Sequence, residues 1–440
     1  VIIRPAKRIR GRLEMPGDKS ISHRAALISA LATGTSRVKN FSTSEDCGAT
    51  LRCLAALGVA ISRDGESVLI KGAGLRGLQA ASAPLDCGNS GTTMRLLAGI
   101  LAGQTFSSTL KGDESLQSRP MQRIVEPLEM MGAEIESHDG RAPLTIQGRN
   151  PLQAIEYELL LASAQTKSCI LLAGLNANGR TTVIEKVPTR DHTERMLRWF
   201  GVKVDIGDAQ REGEVFIAVT PPQELSARDV QIPGDISAAA YFIAAAALLD
   251  DSMLEIANVG INPSRASFLN YLQSFGFDVN VMNASEVNNE PVGTIRVRGL
   301  PTSDRTNATN SSQTIINGSF VAGVIDELPL LAVVGSQIDG GIEVRDAREL
   351  RVKESDRIAT TVAGLRAMGA EVEEFDDGLR VSGPARLRGA EIDPRGDHRI
   401  AMAFTVAALV AEGESEIKNP DCVAVSFPEF FDKLESVTER

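Results

Sequence analysis

What the 440-residue sequence withholds narrows the field first. It has no excess of positive charge: 46 Lys and Arg against 57 Asp and Glu leave a formal net charge of −11. Nucleic-acid backbones are held through clustered positive charge, so this balance argues against nucleic acid as the main partner. Cysteine is scarce; Cys47, Cys53, Cys87, Cys169 and Cys422 form no CxxC pair and no regular spacing, which suits small core residues in a reducing compartment. Four scattered histidines argue against a metal cluster. No apolar run reaches the ~18 residues of a membrane-spanning helix, and the opening VIIRPAKRIRGRLEMPG has no signal-peptide core. The absences point to a cytoplasmic globular chain with no membrane partner, and the length predicts roughly two to four domains.

What is there is repetition. A short apolar helix ending in Gly and running into an alternating strand recurs at Gly58, Gly132, Gly201, Gly276 and Gly369, spaced 74, 69, 75 and 93 residues apart. Upstream of each lies a helix with a polar start and an Ala- and Gly-rich body, in KSISHRAALISALATG, NSGTTMRLLAGILAG, SAQTKSCILLAGLNANG, DISAAAYFIAAAALL and DELPLLAVVG; DHRIAMAFTVAALVAEG makes a sixth. A left-handed Gly stops such a helix, and the small residues imply close packing at a crowded centre. Six units suggest two domains of three, the sixth unit lacking its closing strand because the chain ends. The wide fourth gap holds the polar tract 301–318, read as a surface loop whose sequons at Asn307, Asn310 and Asn317 are chance matches. Pro-Gly-Asp opens the first unit (Pro16 to Asp18) and the fourth (Pro233 to Asp235). These matching turns read as the two strands of a hinge near 16–18 and 233–235, with residues before the first turn pairing with residues beyond the second.

The chemistry gathers at the polar starts. MPGDKSISHR places one ammonium (Lys19), two hydroxyls (Ser20, Ser22), an imidazole (His23) and a guanidinium (Arg24) where a helix should begin. A helix start exposes unpaired N–H groups and the positive end of a dipole, so these groups build an anion site. GDKS is not a phosphate loop, because Asp18 stands where GxxxxGK[ST] needs its second glycine. CGNSGTTMR brings Gly88, Ser90, Gly91 and Thr92 to a helix start, where a ligand can approach the backbone closely. Arg119 precedes Pro120 and is biased to extended geometry at a helix entrance. SAQTKS offers Ser163, Gln165 and Lys167 as donors, and TRDHTERM offers Arg190, Asp191 and His192. Asp326 in DELP would by itself be an N-cap. LRVKESDR puts Lys353 and Arg357 four apart on one helical face with Glu354 beside them, and GDHR supplies Asp397, His398 and Arg399 ahead of an apolar helix. Each pattern singly is also what a capped or ion-paired surface produces. Together, Lys19, Arg24, Arg119, Lys353, Arg357 and Arg399 at starts of equivalent helices predict a cleft for a multiply charged anion.

PGDKSISHRA, GNSGTTMR, SRPM, SAQTKS, TRDHTERM, DELPLLAV, LRVKESDR, GDHRIAMAF and SFPEFFDKL, in this order over nearly the whole length, closely resemble the 5-enolpyruvylshikimate-3-phosphate (EPSP) synthase family. The resemblance implies an α/β fold, a two-domain inside-out α/β barrel (the enolpyruvate transferase fold) with six βαβαββ repeats, three per domain. Residues 1–17 with 233–440 would form one domain and 18–232 the other. The implied substrates are phosphoenolpyruvate and shikimate 3-phosphate, in aromatic amino acid synthesis, with no metal or other cofactor and a monomer as the expected form.

By position in the matching motifs, the resemblance implies catalytic roles for Lys19, Asp326, Glu354 and His398. Lys19, Asn89, Gly91, Arg119, Gln165, Arg357 and Arg399 would hold phosphoenolpyruvate. Lys19, Ser20, Arg24, Ser163, Ala164, Gln165, Arg190, Asp326 and Lys353 would hold shikimate 3-phosphate. One branch of the family has a tyrosine stacking on the shikimate ring where this chain has TRDHTERM, so Arg190 would take over that contact; Val425 replaces a lysine of the same branch. The SAQTKS, TRDHTERM and SFPEF forms resemble the glyphosate-tolerant branch, yet Gly91 stands where that branch usually has Ala. Glyphosate is therefore expected to enter and compete with phosphoenolpyruvate. UDP-N-acetylglucosamine enolpyruvyl transferases share the fold but typically carry Lys-Asn at the first helix and a Cys before Arg-Pro. Here Lys19-Ser20 and Gln117-Ser118 occupy those places. A DNA clamp of repeated βα units would need a basic inner surface, and an inert sugar-phosphate binder would not need the Asp326 and Glu354 carboxyls.

Overall fold

The small-residue helices begin where a side-chain oxygen takes over an orphan N–H, which is the local rule for a helix start. In the computed structural model, which describes residues 1–65, 67–301 and 315–440, Asp18 caps Lys19–Ala30, Ser90 caps Gly91–Ala102 and Ser163 caps Ala164–Gly174. Asp235 and Asp397 do the same for Ile236–Leu248 and His398–Val410. The equivalent helix Leu328–Gly335 starts differently: Glu327 holds the cap position without a side-chain cap bond, and Asp326 lies in the turn before it. At the other end of the repeat, Gly58, Gly132, Gly201, Gly276 and Gly369 all have φ between +84° and +94°. Each stops a helix in the left-handed region, as expected of glycine there.

Among the described residues the chain divides into two compact units. The first comprises Val1–Pro16, Gly234–Ser285 and Pro291–Arg440; the second comprises Gly17–Pro233 with Glu286–Glu290. Four sheets share one connectivity. In Leu85–Asp86, Ser107–Lys111, Arg141–Gln147 and Glu134–His138, in that spatial order, the first pair is parallel and the next two antiparallel. Residues 156–219 and 315–381 repeat it. With helix following each of the first two strands this is a βαβαββ repeat.

Two repeats borrow their first strand from a distant part of the chain. Val230–Gln231 lies parallel to Val38–Lys39 in the second unit, and Arg10 to Glu14 lie parallel to Met253 to Ala257 in the first. The segment before the first Pro-Gly-Asp thus pairs with a strand beyond the second. The sixth repeat is closed after all: Ile2–Ile3 lies antiparallel to Ser415–Glu416, and the chain ends as Thr438–Glu439 against Arg8 and Ile9. A missing strand was expected there because the repeat has no sequence left to supply it, and the other chain terminus does so instead.

In each unit the small-residue helices are inside and the sheets outside. All thirteen residues of Ile236–Leu248 are buried, as are all eight of Leu328–Gly335, while strands such as Arg141–Gln147 alternate buried and exposed. Such helices must approach closely. A Cβ on Gly99 would lie 2.2 Å from the Cys169 carbonyl oxygen, so the Gly91–Ala102 and Ala164–Gly174 helices pack at a distance only glycine permits. Each unit has its own apolar core. Asn307 and Asn310 of the polar tract lie outside the described residues.

Candidate functional site

In the second unit, the capped helix starts carry the expected side chains. Lys19 is the first residue of its helix, and its Nζ is 3.0 Å from Asp46 Oδ2. Arg24, one turn on, is buried and donates from Nε to Thr193 Oγ1 (2.7 Å), from Nη2 to Ser168 Oγ (2.8 Å) and from Nη1 to the Ser20 carbonyl (2.9 Å). Burial lowers its pKa to about 10, opposed first by the field of Glu194 and reinforced by Arg190. The guanidinium stays charged at neutral pH. Arg190 itself sits just before the His192–Trp199 helix.

A second cluster surrounds Gly91. Arg119 follows the short helix Glu114–Ser118 in extended geometry (φ −80°, ψ 143°), as its proline neighbour requires. Its Nη2 donates to Asn89 Oδ1 at 2.6 Å and to Ser115 Oγ at 3.1 Å. Gln165 accepts from Arg95 Nη1 and donates to Thr92 Oγ1 at 2.9 Å. Ser163 and Ala164 form the cap and first turn of the same helix as Gln165. Lys167 does not join them. It is 1% exposed and points into an ion-paired cluster with Glu194 (2.7 Å) and Glu185 (3.0 Å), because two buried carboxylates hold it more strongly than solvent would. His192 likewise turns inward, its Nδ1 2.7 Å from Glu290 Oε1.

The first unit gathers the remaining candidates around one guanidinium. Arg357 is 1% exposed and donates to Asp397 Oδ2 (2.8 Å), to Glu354 Oε2 (2.6 Å) and to Asp326 Oδ1 (3.4 Å). Arg399 donates to the Asp326 carbonyl at 3.2 Å and lies 3.5 Å from its carboxylate and 3.6 Å from Glu327. Burial alone would lower the pKa of both arginines, but the carboxylates, Asp397 and Glu354 for Arg357 and Asp326 for Arg399, hold them above the ordinary value. Lys353 goes the other way: burial lowers it, with Asp326 opposing. His398 is buried at the first residue of the helix that carries Arg399.

Two expectations change here. Lys353 and Arg357 do not share a helical face: Lys353 ends a 3-10 helix, Arg348–Val352, and Arg357 starts Arg357–Ala367, because the Asp356 side chain caps that second helix and breaks the periodicity. Arg119 and Lys353 therefore sit on connecting segments, not at starts of equivalent helices. No group of three or more His, Cys, Asp or Glu among the described residues could hold a metal ion, and no described helix is long and apolar enough to cross a membrane.

The family model described as EPSP synthase (3-phosphoshikimate 1-carboxyvinyltransferase) matches residues 3–434. The chain belongs to the EPSP synthase family. It is 51% identical to a 3-phosphoshikimate 1-carboxyvinyltransferase of Koribacter versatilis, over 100% of this chain and 99% of that one. The corresponding protein of Salinibacter ruber is 49% identical over 98% of each chain. A solved structure of the EPSP synthase of Acinetobacter baumannii superimposes with a TM-score of 0.84 at 39% identity, covering 99% of this chain and 97% of that one. The two-domain enolpyruvate transferase fold of this family is thus the fold of the chain.

Against that family background, sequence reasoning passed over the groups that hold the assigned residues in place. Asp46 pairs with Lys19, and Ser168 with Thr193 seats Arg24. Arg95 was within reach: it stands four residues beyond Gly91 in one predicted helix, hence on the same face.

Proposed function

We infer that this protein transfers the enolpyruvyl group of phosphoenolpyruvate to the 5-hydroxyl of shikimate 3-phosphate and releases inorganic phosphate, a step of aromatic amino acid biosynthesis. Membership of the EPSP synthase family over residues 3–434 carries the reading. The shikimate hydroxyl adds to C2 of phosphoenolpyruvate while C3 takes a proton. Loss of that C3 proton with departure of phosphate then leaves the enol ether.

The residue roles follow from charge and reach. Asp326 takes the hydroxyl proton and Glu354 moves the proton at C3, a pairing of general base and general acid worth roughly 10²–10⁴ in rate per group. The Arg357 guanidinium bonded to both carboxylates supports this division. An anion arriving at Arg357 draws its charge away from Glu354, and a carboxyl that loses its cation takes up a proton more readily. Arg357, Arg399 and Arg119 hold the phosphate and carboxylate of phosphoenolpyruvate, where a planar guanidinium can bind bidentately. Asn89, Gly91 and Gln165 line that subsite. Lys19 stabilises the charge that develops on the leaving phosphate. Ser20, Arg24, Ser163, Ala164, Gln165, Arg190 and Lys353 bind shikimate 3-phosphate, and His398 orients Glu354 or the phosphate. The roles are divided between the two units, with the turns at 16–18 and 233–235 as the hinge. We further assign glyphosate as a competitor of phosphoenolpyruvate, the cytoplasm as the site of action and the monomer as the active form.

The deciding experiment measures phosphate release from phosphoenolpyruvate with shikimate 3-phosphate and, in parallel, with UDP-N-acetylglucosamine as acceptor. Release with the first acceptor alone is expected; release with the second alone would overturn the assignment. Gel filtration at the volume of a 46.9 kDa chain checks the monomer, and a dimer volume contradicts it.

A further inference from the structure

The Ala164–Gly174 and His192–Trp199 helices are joined twice, side by side. Ser168 Oγ and Thr193 Oγ1 lie 2.6 Å apart. One residue along on each helix, Lys167 Nζ and Glu194 Oε1 form an ion pair of 2.7 Å. The hydroxyl pair is the seat of Arg24, which donates to both oxygens. Lys167 also pairs with Glu185 at 3.0 Å, and Lys167, Glu185 and Glu194 are all at most 3% exposed.

Two buried cations, Arg24 and Lys167, therefore share a pocket of the fold with two buried carboxylates. Buried charge is tolerated where it is matched, and removing one partner leaves the others uncompensated. Glu194 serves both cations: its field is the largest opposing the burial penalty on Arg24, and likewise on Lys167. Its second oxygen, Oε2, is buried and accepts no hydrogen bond among the described residues. With Lys167 neutral, that oxygen would draw Arg24 off the Ser168 and Thr193 hydroxyls.

We propose that Lys167, together with Glu185 and Glu194, is a positioning residue for Arg24 and through it sets the affinity for shikimate 3-phosphate without bearing on phosphoenolpyruvate. This rests on the assignment of Arg24 to shikimate 3-phosphate. Lys167 itself is sealed behind the helices and touches no substrate.

The test compares full-length wild type with Lys167→Met and the double variant Lys167→Met/Glu194→Gln, reading KM for each substrate, kcat and thermal midpoint. Lys167→Met should raise KM for shikimate 3-phosphate about tenfold and leave KM for phosphoenolpyruvate within about twofold. The double variant, whose buried charges balance again, should return to within about threefold of wild type even though it has lost one more native contact. A merely structural role would move both KM values together and worsen in the double variant. That pattern, or an unchanged KM for shikimate 3-phosphate in Lys167→Met, overturns the proposal. Should Lys167→Met not fold, the double variant decides alone: recovery within about threefold supports the charge balance, and a larger rise overturns it. A wild type that releases no phosphate sinks the activity reading only, and calorimetric titration with shikimate 3-phosphate then reads the same order of affinities.

Discussion

Arg357 Nε and Asp397 Oδ2 stand 2.8 Å apart with 1% and 0% of their side chains exposed, and the other oxygen of the same carboxylate accepts the Arg399 N–H at 3.0 Å. One buried Asp thus aims one arginine and caps the helix that presents the other. Asp397→Asn keeps the shape and an acceptor but removes the charge that holds the Arg357 guanidinium. Its KM for phosphoenolpyruvate should rise about 10–100-fold, the range seen when groups behind a binding residue are lost. Asp397→Ala also loses the cap and strands Arg357, so it should cost about 3–5 kcal/mol of stability. Steady-state kinetics and urea midpoints check the pair; an Asn variant with unchanged KM for phosphoenolpyruvate would remove Asp397 from the site.

Gly91 has no room to spare toward the cations. A Cβ there would lie 3.0 Å from Arg95 Nη1 and 3.5 Å from Arg119 Nη1. Gly91→Ala must push the Arg95 end aside and narrow the anion subsite by one methyl. We expect the inhibition constant for glyphosate to rise about tenfold or more and KM for phosphoenolpyruvate to rise by less, since the longer ligand has less freedom to retreat. Equal inhibition constants for wild type and variant would show that glyphosate does not occupy this subsite.

The helix starts and stops could be read from sequence because each depends on a neighbour: Ser90 reaches the Thr93 N–H three residues away, and Gly369 needs only its own φ of +89°. The borrowed strand at 8–14 was readable from the duplicated turn. The partners of the charges were not. Lys19 finds Asp46 across 27 residues, Arg357 finds Asp397 across 40 and Arg24 finds Thr193 across 169. Nothing in periodicity specifies such pairs, because they are set by how the repeats stack. The same gap misplaced Lys167, which stands in a motif of surface donors yet turns inward to two carboxylates that sequence leaves 18 and 27 residues away. It also hid the strand Ile2–Ile3, whose partner lies at the far end of the chain.

His23 is fully buried, its Nδ1 2.7 Å from Thr50 Oγ1, and that hydroxyl continues through Thr93 to the Ser90 cap. Burial first, then Lys19 and Arg24, push its pKa well below the model-compound value of 6.5. A depressed base binds its proton in the unfolded chain before the folded one. Stability is therefore full above about pH 6.5 and falls as the solution is acidified, by up to about 1.4 kcal/mol per pH unit. His23→Asn, which can still bond Thr50, should flatten that slope between about pH 6.5 and 5. Urea denaturation across this window is the measurement, and parallel slopes for the two proteins would show that His23 does not titrate on unfolding.

Lys19 offers the sharpest separation of chemistry from folding. Its side chain keeps 17% of its surface and pairs with an Asp46 whose side chain is 10% exposed, so this pair is more open to solvent than the sealed Lys167 cluster and its loss costs the fold less. A charge placed to meet the departing phosphate acts mainly in the transition state, where one such group is worth about 10²–10³ in kcat. Lys19→Met should show that loss with a thermal midpoint close to wild type, whereas Lys19→Arg, with the charge but not the compact ammonium, should recover only part of it. Phosphate release at saturating levels of both substrates reads kcat directly. A Met variant that keeps wild-type kcat and loses only affinity would reassign Lys19 from charge stabilisation to ground-state binding.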